Sequence, residues 1–168
     1  MLTLVSIVVV LLIYFKNRIS KAMTKKEVLQ KIRKAKTGHR RWMSYAKAIQ
    51  MGLSLDKDAV PLIETDCQFG QWYYGEGQYF SHLDSFKAIE EPHSILHHKY
   101  MQIYKIKKQP LQTGLFITKK KALKKREEQL NALLEHMEQI SKLLKETLED
   151  FEEDIMQMSE AEIMQLTQ

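Results

Sequence analysis

Residues 24–50 read TKKEVLQKIRKAKTGHRRWMSYAKAIQ. Thr24 followed by Glu27 has the capping-box spacing, in which each residue's side chain bonds the other's backbone N–H, and it marks a helix start. Val28, Ile32, Ala35, His39, Trp42, Ala46 and Ile49 then recur at steps of four and three, which places them on one face of a single helix. His39 therefore lies on the buried stripe. Gly52 and Ser54 punctuate the pattern, and Asp56 is a suitable start for a second helix.

In that second helix Val60, Ile63, Cys67, Gly70 and Tyr74 repeat the spacing, so Cys67 is expected to face the core. Gly70 leaves room for a close approach that a larger residue would block. The helix is expected to stop in the segment 75–77, with a short helix from about Gln78 to Lys87. Pro92 fits the first position of a third long helix, where its missing N–H costs nothing. There Ile89, His93, Leu96, His97, Tyr100, Ile103 and Tyr104 form the inward face until Pro110 and Gly114. His93 and His97 are one turn apart, while His98 falls about 100° away.

From Thr118 to Met158, Leu123, Leu130, Met137, Leu144, Phe151 and Met158 recur at strict sevens, with Leu133, Leu134, Ile140, Leu148 and Ile155 between them. Arg126, Thr147 and Asp154 interrupt the complementary seam. The segment reads as a long amphipathic helix, either a coiled coil or a helix laid on the main bundle. Residues after Ser159 are expected to fray. The fold class is all-α: a bundle of about four main helices with an N-terminal membrane anchor and a long C-terminal amphipathic helix. The domain division is 1–20 anchor, 21–112 bundle and 113–168 charged helix.

Charge is segregated along the chain. Between Lys16 and Lys47 twelve Lys or Arg face the single acid Glu27, whereas from Glu127 to Gln168 twelve acids face Lys142 and Lys145. A basic stretch suits nucleic acid or an anionic membrane, and its neighbour here is Leu2–Phe15, fourteen uncharged residues. With flanking residues to 19 this is a marginal single span. No basic segment precedes it and no A-x-A-like site follows, which favours an uncleaved anchor over a signal peptide. The cluster beginning at Lys16 places the following domain on the cytoplasmic side, where thiols stay reduced. The 168-residue length suits one domain with attachments, and the single cysteine excludes an internal disulfide framework. No Walker, G-x-S-x-G, H-E-x-x-H or C-x-x-C motif is present.

Three histidines and the only cysteine thus fall on core-facing stripes. A lone buried His is ordinarily a hydrogen-bonded core residue and a lone buried Cys a small hydrophobe, but four such residues are the number that closes a tetrahedron, which favours a metal site over the alternative of a polar core cluster. One thiolate and three imidazoles suit Zn(II), though Co(II), Cu or Fe could occupy the same set. His82, His98 and His136 lie off these stripes and are expected at the surface. The run Trp72, Tyr73, Tyr74, Tyr79 and Phe80 lacks interleaved basic residues, so it reads as core packing rather than a base-stacking platform.

The segment Cys67-Gln-Phe69-Gly70-Gln-Trp72-Tyr-Tyr-Gly75-Glu-Gly77, with His39 and Trp42 upstream and Pro92-His93 and His97 downstream, resembles the chemoreceptor zinc-binding (CZB) domain family over roughly residues 37 to 105. That resemblance implies a helical bundle, usually a homodimer, binding Zn2+ through His39, Cys67, His93 and His97. It also implies a bacterial regulatory role, since members act on chemoreceptors and diguanylate cyclases and are implicated in responses to zinc or hypochlorous acid. No receptor signalling hairpin or cyclase domain accompanies it in this chain. The expectation is a non-enzymatic zinc or redox sensor, single-pass in the bacterial inner membrane, with an unknown signalling protein such as a chemoreceptor or cyclase as partner and with no nucleic acid or small-molecule substrate. The alternative is a zinc-stapled dimerisation module that does not sense.

Overall fold

The computed structural model describes residues 22–53 and 61–168, and among these it is all-helical, without a β-strand. Helix α1 is Lys25–Gln50, and its start is the capping box: Thr24 Oγ1 accepts from Glu27 N at 3.2 Å and Glu27 Oε2 accepts from Thr24 N at 2.8 Å. The seven residues of the stripe from Val28 to Ile49 are all buried. Gly52 closes the helix with φ +89°, a left-handed backbone that glycine adopts without a Cβ clash.

The expected second helix does not form as one piece. Its start at Asp56 lies outside the described residues, as does the anchor at residues 2–19. Among the described residues no helix is long and apolar enough to cross a membrane. Pro61, Leu62 and Ile63 are non-helical, a 3-10 turn covers Glu64–Asp66, and helix α2 is only Gln68–Tyr73. Pro61 lacks the N–H that a helix through this point requires, and its ring clashes with the preceding turn. Ile63 and Tyr74, expected on the buried stripe, are exposed, while Cys67 is buried at the start of α2.

A second 3-10 turn, Glu76–Phe80, and helix α3, Asp84–Lys87, replace the expected helix over 78–87. Helix α4 runs Glu90–Lys108, so Pro92 is its third residue rather than its first. The position is still within the turn whose N–H groups have no helical partner, which is why proline is accepted there. Helix α5, Lys119–Gln157, is 39 residues long, about 58 Å at 1.5 Å per residue.

Cross-links give the arrangement. Arg33 and Lys36 meet Glu152, Lys47 meets Glu138 and Gln50 meets Asn131, so α1 and α5 are antiparallel. Ser85, in α3 just before α4, meets Asp154, and the carbonyl of Gln109, just after α4, accepts from Arg126, so α4 runs antiparallel to α5 as well. The three long helices share one core, and α5 supplies Leu130, Leu134, Met137, Leu144, Leu148, Phe151 and Ile155 to it. Of the heptad residues, Leu123 is instead half exposed.

The C-terminus does not fray. Ser159 and Glu162 form a second capping box that starts helix α6, Glu160–Leu166. Thr167 Oγ1 accepts from Met23 N at 2.8 Å, and Lys25 Nζ donates to the carbonyls of Met156 and Met158. The chain end is thereby tied to the beginning of α1.

Candidate metal centre

His39 comes from the middle of α1, His93 and His97 from the first two turns of α4, and Cys67 from the entry to α2. One donor atom from each lies within 4.8 Å of the others, and all four residues are buried. His82, His98 and His136 are exposed, as their off-stripe positions require.

The cysteine is placed by a local device. Cys67 is the N-cap of α2, with extended backbone, and its Sγ accepts from Gly70 N at 3.1 Å. Gly70 is obligatory here: a Cβ would stand 1.7 Å from the carbonyl oxygen of Glu64. The room expected at this position is occupied by backbone. Cys67 Sγ also lies 3.4 Å from His93 Nε2, near the edge of about 3.5 Å expected of a tetrahedral zinc site with Zn–S near 2.3 Å and Zn–N near 2.0 Å.

The histidines are oriented by two different means. His39 Nδ1 sits 2.8 Å from the carbonyl of Ala35. A carbonyl only accepts, so Nδ1 carries the proton and Nε2 keeps its lone pair, an arrangement typical of metal-bound imidazole. His93 and His97 are held by ring packing. His97 lies 3.9 Å from Trp42 between ring centroids, and His93 lies 5.2 Å from Phe69, edge to face. Sequence reasoning assigns no role to the Ala35 carbonyl or to the two aromatic walls, although Ala35, Trp42 and Phe69 stand within four residues of a donor.

Burial decides the charge state. Desolvation lowers His39 to about 4 against the Ala35 hydrogen bond, His97 to about 3, and His93 to about 2 with help from the two neighbouring rings. All three imidazoles are neutral and able to donate a lone pair. Burial pushes the Cys67 thiol up, with the Gly70 and Phe69 backbone pulling the other way. His93 Nδ1 and both ring nitrogens of His97 are buried without a well-formed hydrogen bond, although the Pro61 and Leu62 backbone lies close enough to His97 to oppose part of its desolvation. A neutral imidazole has one lone pair, so a cation among these donors would satisfy one nitrogen of each ring; in His97, with neither nitrogen in a well-formed hydrogen bond, that lone pair has no other partner. The four residues fit a zinc ion in number, donor chemistry and convergence.

Residues 39–104 match the family model of the chemoreceptor zinc-binding domain. The match covers all four donors and supports assigning this segment to that family. No match was found among curated proteins or among solved structures.

Proposed function

We propose that this chain is a zinc-dependent regulatory module, with the metal held by His39, Cys67, His93 and His97, and that it acts without catalysis on a signalling partner. The observation that carries this reading is the convergence of four buried donors from three separate stretches within 4.8 Å, with His97 free of a well-formed hydrogen bond at either ring nitrogen. In this reading residues 2–19 tether the domain to the cytoplasmic face of a bacterial inner membrane, the chain pairs as a homodimer, and the partner is of the chemoreceptor or cyclase kind. The apolar run at the N-terminus supports the tether, and the family description supports the type of partner.

When bound, zinc keeps a coordinating thiol ionised. Cys67 is then in its nucleophilic form. Its sulfur would react with a two-electron oxidant such as hypochlorous acid: an S–O bond forms as O–Cl breaks, chloride leaves, and the proton stays on the sulfenic acid or passes to water to leave the sulfenate. A groove lined by Lys31, Lys34 and Arg41 borders Cys67 and His39 and gives small molecules an approach. A sulfenate is a poorer donor, so the tie between the start of α2 and the histidines of α1 and α4 weakens, and the bundle shifts its packing.

Metal content and the rate of Cys67 modification in the full chain test the reading, for wild type and for His93→Ala. One zinc per chain with a protected thiol, both lost in the variant, is the expected result; a folded, metal-free wild type would overturn it. A second reading, a stapled module that does not sense, is supported by the saturated donor set, which leaves no open position. An oxidant response that persists in Cys67→Ser would reject Cys67 as the sensor, whereas a zinc-loaded wild type with no oxidant response would leave the second reading standing.

A further inference from the structure

The two most exposed large apolar side chains among the described residues are adjacent. Leu115 is 100% and Phe116 94% exposed. They form the tip of a tight turn closed on both sides: Gly114 N donates to the Ile117 carbonyl and Ile117 N to the Gly114 carbonyl, each at 3.1 Å. The tip is held out rather than trailing.

The surroundings are uniformly basic. From Pro92 to Arg126 the sequence has ten Lys or Arg and no acid. Around the turn stand the last turn of α4, with Lys105, Lys107 and Lys108, and the first turn of α5, with Lys119, Lys120 and Lys121. Cations at a helix C-terminus are favourable, but three lysines at a helix N-terminus oppose the positive end of its dipole. The first turns of α1, α4 and α6 each contain acid, whereas that of α5 has none. Lysine is a good helix former, but here its charge opposes the dipole, so electrostatics within the helix does not account for three of them in a row.

We propose that the Leu115–Phe116 turn inserts into the surface of an anionic lipid bilayer, with the lysines of α4 and α5 seated on the lipid phosphates. Leu115 and Phe116, with Ile117 44% exposed beside them and charge all round, are too small a patch for a stable protein interface, which needs about 800 Å² on each side. A deformable interface accepts them, apolar tip inward and cations at headgroup level. The turn lies at the far end of the bundle from Met23, which is tied to Thr167. α1, 26 residues long, sets roughly 39 Å between these ends. A lipid contact at the turn would therefore be distinct from any tether at the N-terminus, and the two together would lay the bundle along the membrane. The inference stands independently of the zinc reading.

The full chain carrying Phe116→Trp, reconstituted into vesicles with brominated acyl chains, provides the test. Native Trp42 and Trp72 are buried, and the parent chain supplies their background. Emission from the introduced indole should be quenched in vesicles containing about one third phosphatidylglycerol, an anionic lipid. Quenching should fall on the order of tenfold in pure phosphatidylcholine, and likewise when Lys119, Lys120 and Lys121 are all replaced by Glu. Circular dichroism confirms that the variants keep their helices. No quenching in either vesicle, or equal quenching in both, would overturn the proposal. Shielding of the same indole from aqueous quencher that rises with protein concentration in lipid-free detergent would overturn it too, in favour of contact between chains.

Discussion

Two buried clusters lie side by side in this bundle and are built on opposite terms. In one, Tyr73 stacks on Phe86 at 4.4 Å, and Phe80 and Phe86 meet Phe151 edge to face at 5.7 and 5.3 Å. Its polar groups are the Tyr73 hydroxyl, which donates to the Phe86 carbonyl, and the indole N–H of Trp72, which packs on Phe80, Phe86 and Phe151 and is buried without a partner. Dispersion and desolvation hold that cluster together, at the cost of one unpaired N–H. In the other, three neutral imidazoles and a thiol face one another with nitrogens unpaired. Burying unpartnered polar atoms is unfavourable, so this second cluster costs stability until a guest occupies it. Burial alone therefore does not identify a core; the question is whether the buried groups satisfy each other.

The largest effect should come from removing that guest. His97→Ala, or chelation of the wild type, is expected to lower stability by on the order of 5 kcal/mol or more, since the binding energy of a structural metal is folding energy; thermal unfolding with and without added zinc measures it. Phe151→Ala should cost about 3–5 kcal/mol by cavity formation while leaving one zinc per chain. If it abolished metal binding, the two clusters would not be separable.

Acid separates the two clusters again in the metal-free protein. Unfolded, the rings take up protons near 6.5, whereas folded His39 and His97 resist until about 4 and about 3. The unfolded state therefore binds more protons in that window. Stability should be full above about pH 6.5 and fall as pH drops to 4 and below. Denaturant midpoints between about pH 8 and 4 check the slope, which should flatten in His39→Phe but not in Phe151→Ala. The smallest effect belongs to a site remote from both clusters: Ser159→Ala should cost about 1 kcal/mol through loss of the α6 cap. Faster amide exchange confined to α6 would mark it.

The long helices are legible in the sequence because α1 and α4 bury one continuous face, and periodicity reports burial on one face directly. This suffices to put His39, His93 and His97 inward. The same spacing puts Cys67 inward, but for the wrong local reason. Steps of three and four from Ile63 to Gly70 suggest a helix, while Pro61 and an N-cap at Cys67 divide the segment into short turns. Cysteine is not among the usual capping residues, so propensity offers no hint. By contrast, α6 is readable: Ser159 and Glu162 have the same spacing as Thr24 and Glu27, and only proximity to the chain end makes fraying the default expectation. Whether α5 is a free coiled coil or a bundle helix depends on which surfaces α1 and α4 leave open, information that no single segment contains.

Capping by sulfur turns a backbone amide into a witness. The atom that would hold the metal also accepts the Gly70 amide proton. The electron density on that one sulfur is thus written into the chemical shift and exchange rate of a single backbone N–H. In a 15N-labelled sample the Gly70 resonance would act as an indicator dye installed by the fold, reporting protonation, metal coordination or oxygen transfer at sulfur without any added probe.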